Sequence, residues 1–386
     1  MKKATRQHTK QHNSRLILKT IYNAHGISRA DIARNTGLTR ATVSSIVSDL
    51  MHDGLVNETG VGPSAGGKPP IFLSVVENAR QLICLDLSKD PLQGALINLR
   101  GQIVERIEMP LNGRFGSTAL DLVTQLVNQL RECSTTPVLG IGIGSPGLVD
   151  TRNGIIKKAV NLSWQDVPLK SLIEAQQDLP VFVANDSHMA ALAEYSFGSN
   201  DTRNLVLIKT GRGIGAGIVL NGQLYHGEGG NAGEIGHVTV LRHGAQCSCG
   251  NFGCLEAIAS VQAIMEQAQA IAADQWQSPK PTTWNAFCAA VRQGDPTAQQ
   301  LVSTAGEFIG IAVANLVGIL NIRHIVIAGA MVPLGEGLLT AVCQQMHHYV
   351  LPAIAEQTTV SFTSLGADLT LLGASALILN HRLGVI

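Results

Sequence analysis

The spacing of apolar residues predicts three helices near the start of the chain. Apolar side chains at positions 16, 17, 18, 21 and 22 form one helical stripe. Ser28 is placed to cap a second helix over about 29–36, with Asp31 three residues on and Gly37 suited to end it. Thr39 can cap a third helix, whose apolar positions 43, 46, 47 and 50 share one face.

Two short strands, at 54–56 and 71–75, follow these helices and flank the Gly- and Pro-rich stretch VGPSAGGKPP. A short turn, a recognition helix and a hairpin together predict a winged helix-turn-helix. In the DNA-binding interpretation, polar residues of the third helix face the major groove and a wing lysine meets phosphate. These residues are Arg40, Thr42, Ser44 and Ser45, with Lys68 in the wing. The alternative is a helical interaction domain with an ordinary solvated face.

Beyond residue 80, apolar runs at 139–144, 181–184, 205–208, 217–220 and 325–328 alternate with helical stretches. This alternation predicts an α/β protein with mostly buried sheets. Asn185 and Asp186 follow one of these runs directly and begin a helix-like stretch. An acid at the carboxyl edge of a strand can accept a hydroxyl proton or bind a sugar hydroxyl. Its position alone favours the simpler role of a helix N-cap.

The stretch HVTVLRHGAQCSCGNFGCLE, residues 237–256, has the spacing of a metal site. Cys247, Cys249 and Cys254 supply three thiolates and His237 an imidazole, which is a closed tetrahedral set for zinc. Four protein ligands leave no open position, so the ion is expected to be structural. His243 competes with His237 as the fourth ligand on spacing, and free buried cysteines are the alternative without a metal.

Two turns bear on phosphate binding. KTGRGIGAGIV, at 209–219, is a glycine-rich turn between two apolar strands, which can cradle phosphate but is a weak signal by itself. ICLDLSKDPLQGALI, at 83–97, reads as strand, turn and strand. Its turn Ser88-Lys89-Asp90 contains none of the glycines that a phosphate-binding turn needs.

Charge divides the chain into two parts, although the 386 residues have a formal net charge of zero. Residues 1–80 contain 11 Lys and Arg against 5 Asp and Glu, and the rest 17 against 23. The basic part and the acidic part are expected to have different partners. The polar N-terminus and the absence of a long purely apolar run predict a cytoplasmic protein without a membrane partner.

These motifs resemble the ROK family of repressors, open reading frames and kinases, and in particular its branch of transcriptional regulators for N-acetylglucosamine, glucose and xylose. The resemblance rests on segments that span nearly the whole chain. They are SRADIARNTGLTRATVSSIVSDL at 28–50, GIGSPGLVD at 142–150, NLSWQDVPL at 161–169, NDSHMAALAE at 185–194, GRGIGAGIVLNG at 211–222, GEIGH at 233–237 and CSCGNFGCLEAIAS at 247–260.

The resemblance implies a winged helix-turn-helix over 1–75 followed by an actin-like sugar-kinase fold of two α/β lobes. The first lobe would comprise 76–184 and 371–386, and the second 185–370, with the zinc loop and an oligomerisation surface. The sugar contacts carried over are Gly147, Asn161, Asn185, Asp186, Glu234, His237 and Glu256. His237 would bind zinc through one ring nitrogen and approach the sugar with the other. In a kinase Asp186 would be the catalytic base, which reverses the preference for a helix cap.

The chain departs from the family's kinases at the phosphate turns. Those enzymes begin the first lobe with Asp-x-Gly-Gly-Thr, where this chain keeps Asp86 but has Ser88, Lys89 and Asp90, and Arg212 stands where they commonly have Thr. The leading hypothesis is therefore a repressor that binds operator DNA as a homodimer or homotetramer and is released by a sugar or sugar phosphate. The alternatives are an ATP-dependent sugar kinase with an added DNA-binding domain, and a regulator controlled by a protein partner.

Overall fold

The protein is described by a computed structural model that covers residues 6–24, 26–61, 69–199 and 202–386. Its chain forms two compact units, one of residues 1–186 and 370–386 and the other of residues 187–369.

The N-terminal part of the first unit has three helices and a three-stranded sheet of order β1-β3-β2. Its elements are α1 (Arg6–Tyr22), β1 (Ile27–Ser28), α2 (Arg29–Thr36), α3 (Arg40–His52), β2 (Val56–Val61) and β3 (Ile71–Val75). The predicted caps are confirmed, because Ser28 Oγ accepts the Asp31 amide and Thr39 Oγ1 accepts the Thr42 amide. Gly37 ends α2 in the left-handed conformation. The winged helix-turn-helix is therefore confirmed.

The α/β part of the first unit is built on a five-stranded mixed sheet of order β11-β7-β4-β5-β6. Its elements are β4 (Gln81–Asp86), β5 (Leu92–Asn98), β6 (Ile103–Met109), α4 (Ser117–Cys133), β7 (Val138–Ser145), β8 (Leu148–Asp150), β9 (Ile155–Ala159), β10 (Trp164–Val167), α5 (Leu169–Gln177) and β11 (Val181–Asn185). Strands β4, β5 and β6 form an antiparallel meander, and β7 and β11 extend the sheet in parallel.

The second unit repeats this topology in a sheet of order β14-β13-β12-β15-β16. Its elements are α6 (Asp186–Phe197), β12 (Leu205–Thr210), β13 (Ile214–Leu220), β14 (Gln223–Leu224), α7 (Leu255–Ala259), α8 (Val261–Ala270), α9 (Trp284–Arg292), α10 (Pro296–Leu320), β15 (His324–Gly329), α11 (Glu336–Tyr349), α12 (Pro352–Ala355) and β16 (Thr359–Phe362). A meander is again extended by two parallel strands. The last helix, α13 (Leu369–Leu383), returns to the first unit.

Helix α10 corrects the expectation that no segment is long and apolar enough to span a membrane. Its 25 residues meet that criterion by length and composition, and half of its most apolar window is buried. It packs inside its unit, with Gly306 against Ala341 and Gly310 against Val342 of α11. A core helix passes the same test, so α10 is weak evidence for a membrane span.

Candidate functional site

The recognition helix α3 presents small polar side chains and one arginine to solvent. Arg40, Ser44 and Ser45 are exposed, whereas Val43, Ile46 and the other apolar residues are buried as predicted. Thr42 is only half-buried, and its hydroxyl lies 2.9 Å from the Thr39 hydroxyl. Thr42 therefore takes part in the helix cap as well as in the outer face. Lys68 lies outside the described residues.

In the first unit, the edge formed by the ends of β7 and β11 brings Gly147 and Asn185 together. Asn185 is the last residue of β11, and its side-chain amide donates to the Gly147 carbonyl at 2.9 Å. Gly147 has a φ of +80°, and a Cβ there would lie 2.1 Å from the Lys158 carbonyl oxygen. Only glycine fits this turn, which fixes a backbone carbonyl beside Asn185. Asn161 lies half-buried on a short helical turn after β9.

Asp186 is the first residue of α6 and is half-buried. In this position its carboxylate lies in the first turn, where the partial positive charge of the helix N-terminus favours an anion. The structure therefore gives Asp186 a local structural role that is compatible with ligand contact.

In the second unit, Glu256 is joined to the glycine-rich turn between β12 and β13. Its Oε2 accepts the Ile214 amide at 3.1 Å. A Cβ at Gly213 would lie 2.4 Å from the same oxygen, so the side chain can come this close only beside glycine. The turn is also tied to the start of α8, where the Val261 amide donates to the Gly211 carbonyl at 3.0 Å. Arg212, between the two glycines, is exposed.

Glu234 precedes a single helical turn, Ile235–His237, that packs against β13 and ends at His237. A Cβ at Gly236 in this turn would lie 2.1 Å from the Ile214 carbonyl oxygen. His237 Nδ1 is 3.5 Å from Cys247 Sγ. The imidazole therefore turns Nδ1 toward the cysteines and leaves Nε2 on the opposite side of the ring.

A metal ion can be held by His237, Cys247, Cys249 and Cys254, whose ligand atoms all lie within 4.8 Å of one another. Cys249 Sγ and Cys254 Sγ are 3.7 Å apart. Burial raises the pKa of Cys254 to about 12, with a further rise from the neighbouring thiols, while a backbone hydrogen bond from Asn251 lowers the pKa of Cys249. Only a bound cation would stabilise three thiolates this close together. His243 is not a member of this cluster.

The turn after β4 is filled by its own side chains. Asp86 is fully buried, and its Oδ1 accepts both the amide and the hydroxyl of Ser88, at 3.0 and 2.6 Å. Lys89 Nζ lies 3.4 Å from Asp86 Oδ2 and donates to Gln93 Oε1 at 2.9 Å. The Ser88 amide and the Lys89 ammonium are thus directed at protein groups. A phosphate-binding turn would direct such groups at a ligand.

The sequence did not reveal the role of His188, which follows Asp186 by two residues. His188 is 2% exposed, and its Nε2 lies 2.7 Å from the Ala232 carbonyl oxygen. Its ring also contacts that of His226 edge-on, with centroids 5.5 Å apart. This contact joins α6 to Ala232, two residues before Glu234. The place of His188 in the NDSH motif was the only available signal.

Comparison with known proteins follows this division of the chain. Residues 82–381 match the ROK family, and residues 11–57 match a winged helix-turn-helix DNA-binding family. A xylose repressor of Caldicellulosiruptor bescii is 32% identical over 387 residues, covering 97% of each chain. A glucokinase of Halalkalibacterium halodurans is 35% identical over 314 residues, covering 78% of this chain and 95% of its own.

Among solved structures, a ROK family transcriptional regulator described as a homologue of the E. coli MLC protein superimposes with a TM-score of 0.86. It is 29% identical to this chain, and 98% of both chains is covered. The fold and the sites thus define a winged helix-turn-helix joined to a sugar-kinase-like α/β protein. The chain belongs to the ROK family.

Proposed function

We propose that this protein is a sugar-responsive transcriptional repressor, which binds operator DNA and is released when a sugar or sugar phosphate binds its α/β part. The observation that carries the proposal is the closed turn at Asp86. Ser88 and Lys89 occupy the place of a phosphate cradle, while the edge at Gly147 and Asn185 keeps polar groups beside an exposed turn. The end-to-end similarity to a xylose repressor supports the same function.

The loss of phosphoryl transfer follows from the same turn. Asp186, which would serve as a base in a kinase, is present, but a base accomplishes nothing without a bound phosphoryl donor. Opening the turn would break the bonds of Asp86 to Ser88 and leave a buried carboxylate short of partners, which typically costs about 1–3 kcal/mol. The chain is therefore proposed to bind its sugar without phosphorylating it.

On DNA, we assign base and phosphate contacts to the recognition helix and the wing. The proposed contacts are Arg40, Thr42, Ser44, Ser45 and Lys68. The small side chains of α3 permit close approach to the major groove, and Arg40 carries the donors that read guanine. Two such domains in a homodimer, or four in a homotetramer, would read paired half-sites. We propose a cytoplasmic location, which suits a DNA-binding repressor. We also propose that residues 1–75 contact DNA, that 76–184 and 371–386 form one lobe, and that 185–370 form the other.

The residues proposed to hold the sugar are those that the family resemblance assigns. They are Gly147, Asn161, Asn185, Asp186, Glu234, His237 and Glu256. This set combines carboxylates, amides, an imidazole and a backbone carbonyl, so it can satisfy both the donor and the acceptor side of several hydroxyls. Sites of this kind strongly reject analogues that lack a hydroxyl, because their polar groups are then left unpaired.

The metal is proposed to be one structural zinc ion per chain. Thiolate ligands at about 2.3 Å in a tetrahedral site lie about 3.8 Å from one another. The observed 3.7 Å between Cys249 Sγ and Cys254 Sγ fits this spacing. When bound, zinc would keep the thiols deprotonated and fix the ring of His237, whose Nε2 would then be oriented for a sugar hydroxyl.

A thermal-shift screen tests the effector site directly. D-xylose, D-glucose, N-acetylglucosamine and hexose phosphates are added to the purified protein, and at least one is expected to raise its Tm by about 2 °C or more at saturation. Asn185→Ala should abolish the shift measured against its own baseline. The control Asn57→Ala, an exposed asparagine in β2, should retain it. A wild-type protein that no sugar stabilises contradicts the proposal.

A further inference from the structure

Tyr22, the last residue of α1, docks the DNA-binding domain onto the α/β part of the first unit. Its hydroxyl donates to the Leu99 carbonyl at 2.8 Å, and the side chain is 9% exposed. Burial raises the pKa of Tyr22, although the charge of Arg100 acts against the rise. The phenol therefore remains a neutral donor throughout the physiological pH range.

Arg100 also contacts Tyr22, through both the ring and the backbone. It belongs to the turn between β5 and β6, and its guanidinium carbon lies 4.6 Å from the centroid of the Tyr22 ring. The guanidinium also donates to the Tyr22 carbonyl. Tyr22 and Arg100 thus share a cation–π contact and one hydrogen bond, from the guanidinium to the Tyr22 carbonyl. We use the name Tyr22 latch for Tyr22, Leu99 and Arg100.

Strand β5 connects the Tyr22 latch to the turn that replaces the phosphate cradle. It begins at Leu92, directly after that turn, and ends at Asn98, one residue before Leu99. At its first end, Gln93 accepts from Lys89. At its other end, the Leu99 amide donates to the Glu77 carbonyl at 3.0 Å, in the segment that follows the wing strand β3.

A second contact to α1 comes from the C-terminal end of α13. Arg15 donates to the His381 carbonyl at 3.4 Å, and a Cβ at Gly384 would lie 3.1 Å from Arg15 Cδ. The His381 ring stacks on Phe182, with centroids 4.7 Å apart. Phe182 lies on β11, three residues before Asn185. Helix α1 of the DNA-binding domain is therefore held at two places. One contact leads to β5 and the other, through α13, to β11, and both strands belong to the same five-stranded sheet.

We propose that the Tyr22 latch positions the winged helix-turn-helix on the α/β part of the first unit, so that sugar binding is transmitted to DNA affinity through it. The inference rests on the proposed function. Coupling between two ligands requires that each bias a shared structural state. A DNA-binding domain held only by its covalent connection would reorient independently of the lobe. The latch and the Arg15 contact instead make its position depend on β5, β11 and α13.

The test uses full-length protein, a DNA duplex that the protein selects from a random library and the sugar found by thermal shift. Operator affinity is measured by fluorescence anisotropy with and without that sugar, and sugar affinity is measured without DNA. For wild type we expect a ratio of about 5- to 150-fold between the two operator affinities. Tyr22→Phe should reduce this ratio by about fivefold, and Arg100→Ala should bring it close to 1. Sugar affinity should stay unchanged in both variants.

Two controls separate positioning from folding. Tyr22→Phe keeps the ring under Arg100 and removes only the donor to Leu99, so its fold should be retained. Tyr349→Phe and Arg323→Ala, exposed residues of the second unit, should behave as wild type. Latch variants that keep the wild-type ratio overturn the latch alone. A wild type whose operator affinity does not respond to any sugar overturns the proposed function, and the latch with it.

Discussion

Asp86 illustrates how the neighbours of one residue decide its use. A carboxylate at the end of a buried strand suits a phosphate-handling turn, yet here its oxygens accept from Ser88 and approach Lys89. Glycines in these two positions would remove the hydroxyl and the ammonium from Asp86. Two side chains therefore supply partners to Asp86 from within the turn itself.

Local residue roles were predictable, because capping depends on neighbours in the sequence. Ser28 and Thr39 accept amides three residues on, as their spacing predicted. Contacts such as Tyr22 with Leu99 and His188 with Ala232 join residues far apart in the sequence. No periodicity or motif encodes such pairs, so they could not be read from the chain. The role of Thr42 was only partly predictable. Its hydroxyl is expected to contact DNA, but it also lies 2.9 Å from the capping hydroxyl of Thr39.

Arg40 is the residue proposed to recognise a base in the operator. Arg40→Ala should weaken binding to the selected duplex by about 1–3 kcal/mol and binding to a scrambled duplex by less, because a bidentate contact to guanine is sequence-dependent. Anisotropy titrations at one salt concentration measure both. The control is Arg34→Ala, an exposed arginine of α2 that pairs with Asp31. Equal losses on the two duplexes would make Arg40 a phosphate contact only.

At the scale of elements, the prediction was strongest where the pattern was periodic. Helix α2 was expected over 29–36 and runs from Arg29 to Thr36, and the wing strand expected over 71–75 was found as Ile71–Val75. The two-residue strand β1 was missed because so short a segment has no period. The repeated sheet order of the two units was also invisible, since pairing between distant strands is set by tertiary packing.

The segment between Val238 and Cys254 contains close backbone approaches that require glycine. A Cβ at Gly253 would lie 1.6 Å from the Leu241 carbonyl oxygen, and the Cys247 amide donates to the Asn251 carbonyl at 2.8 Å. Glu256 follows this segment and contacts Ile214. The conformation of this segment is therefore expected to fix the positions of His237 and Glu256, which lie on either side of it in the sequence and are proposed sugar ligands.

Metal removal tests that dependence. Elemental analysis should find about one zinc ion per chain, and Cys249→Ser should lose the metal and weaken sugar binding by about tenfold or more. The weakening is expected because His237 and Glu256 lose their fixed positions. Cys133→Ser removes another exposed thiol, outside the cluster, and should change neither quantity. A metal-free variant that binds the sugar as tightly as wild type would refute the coupling between zinc and sugar.

The whole molecule joins a basic winged helix-turn-helix to a sugar-kinase-like α/β part. Basic residues outnumber acidic ones in the first 80 positions, which contain 11 Lys and Arg against 5 Asp and Glu. This excess of positive charge suits contact with DNA phosphates. The α/β part carries the polar residues proposed for the sugar. The glucokinase relative matches 78% of this chain, and the xylose repressor matches 97%. The added DNA-binding domain distinguishes the two kinds of relative.

Release of operator DNA by the sugar is tested most directly by an anisotropy titration of the selected duplex with the effector sugar present and absent. We expect tight, sequence-specific binding without the sugar and at least about fivefold weaker binding at saturation, with no requirement for ATP. Binding that is equally tight in both conditions, or that the sugar strengthens, would contradict the proposed function.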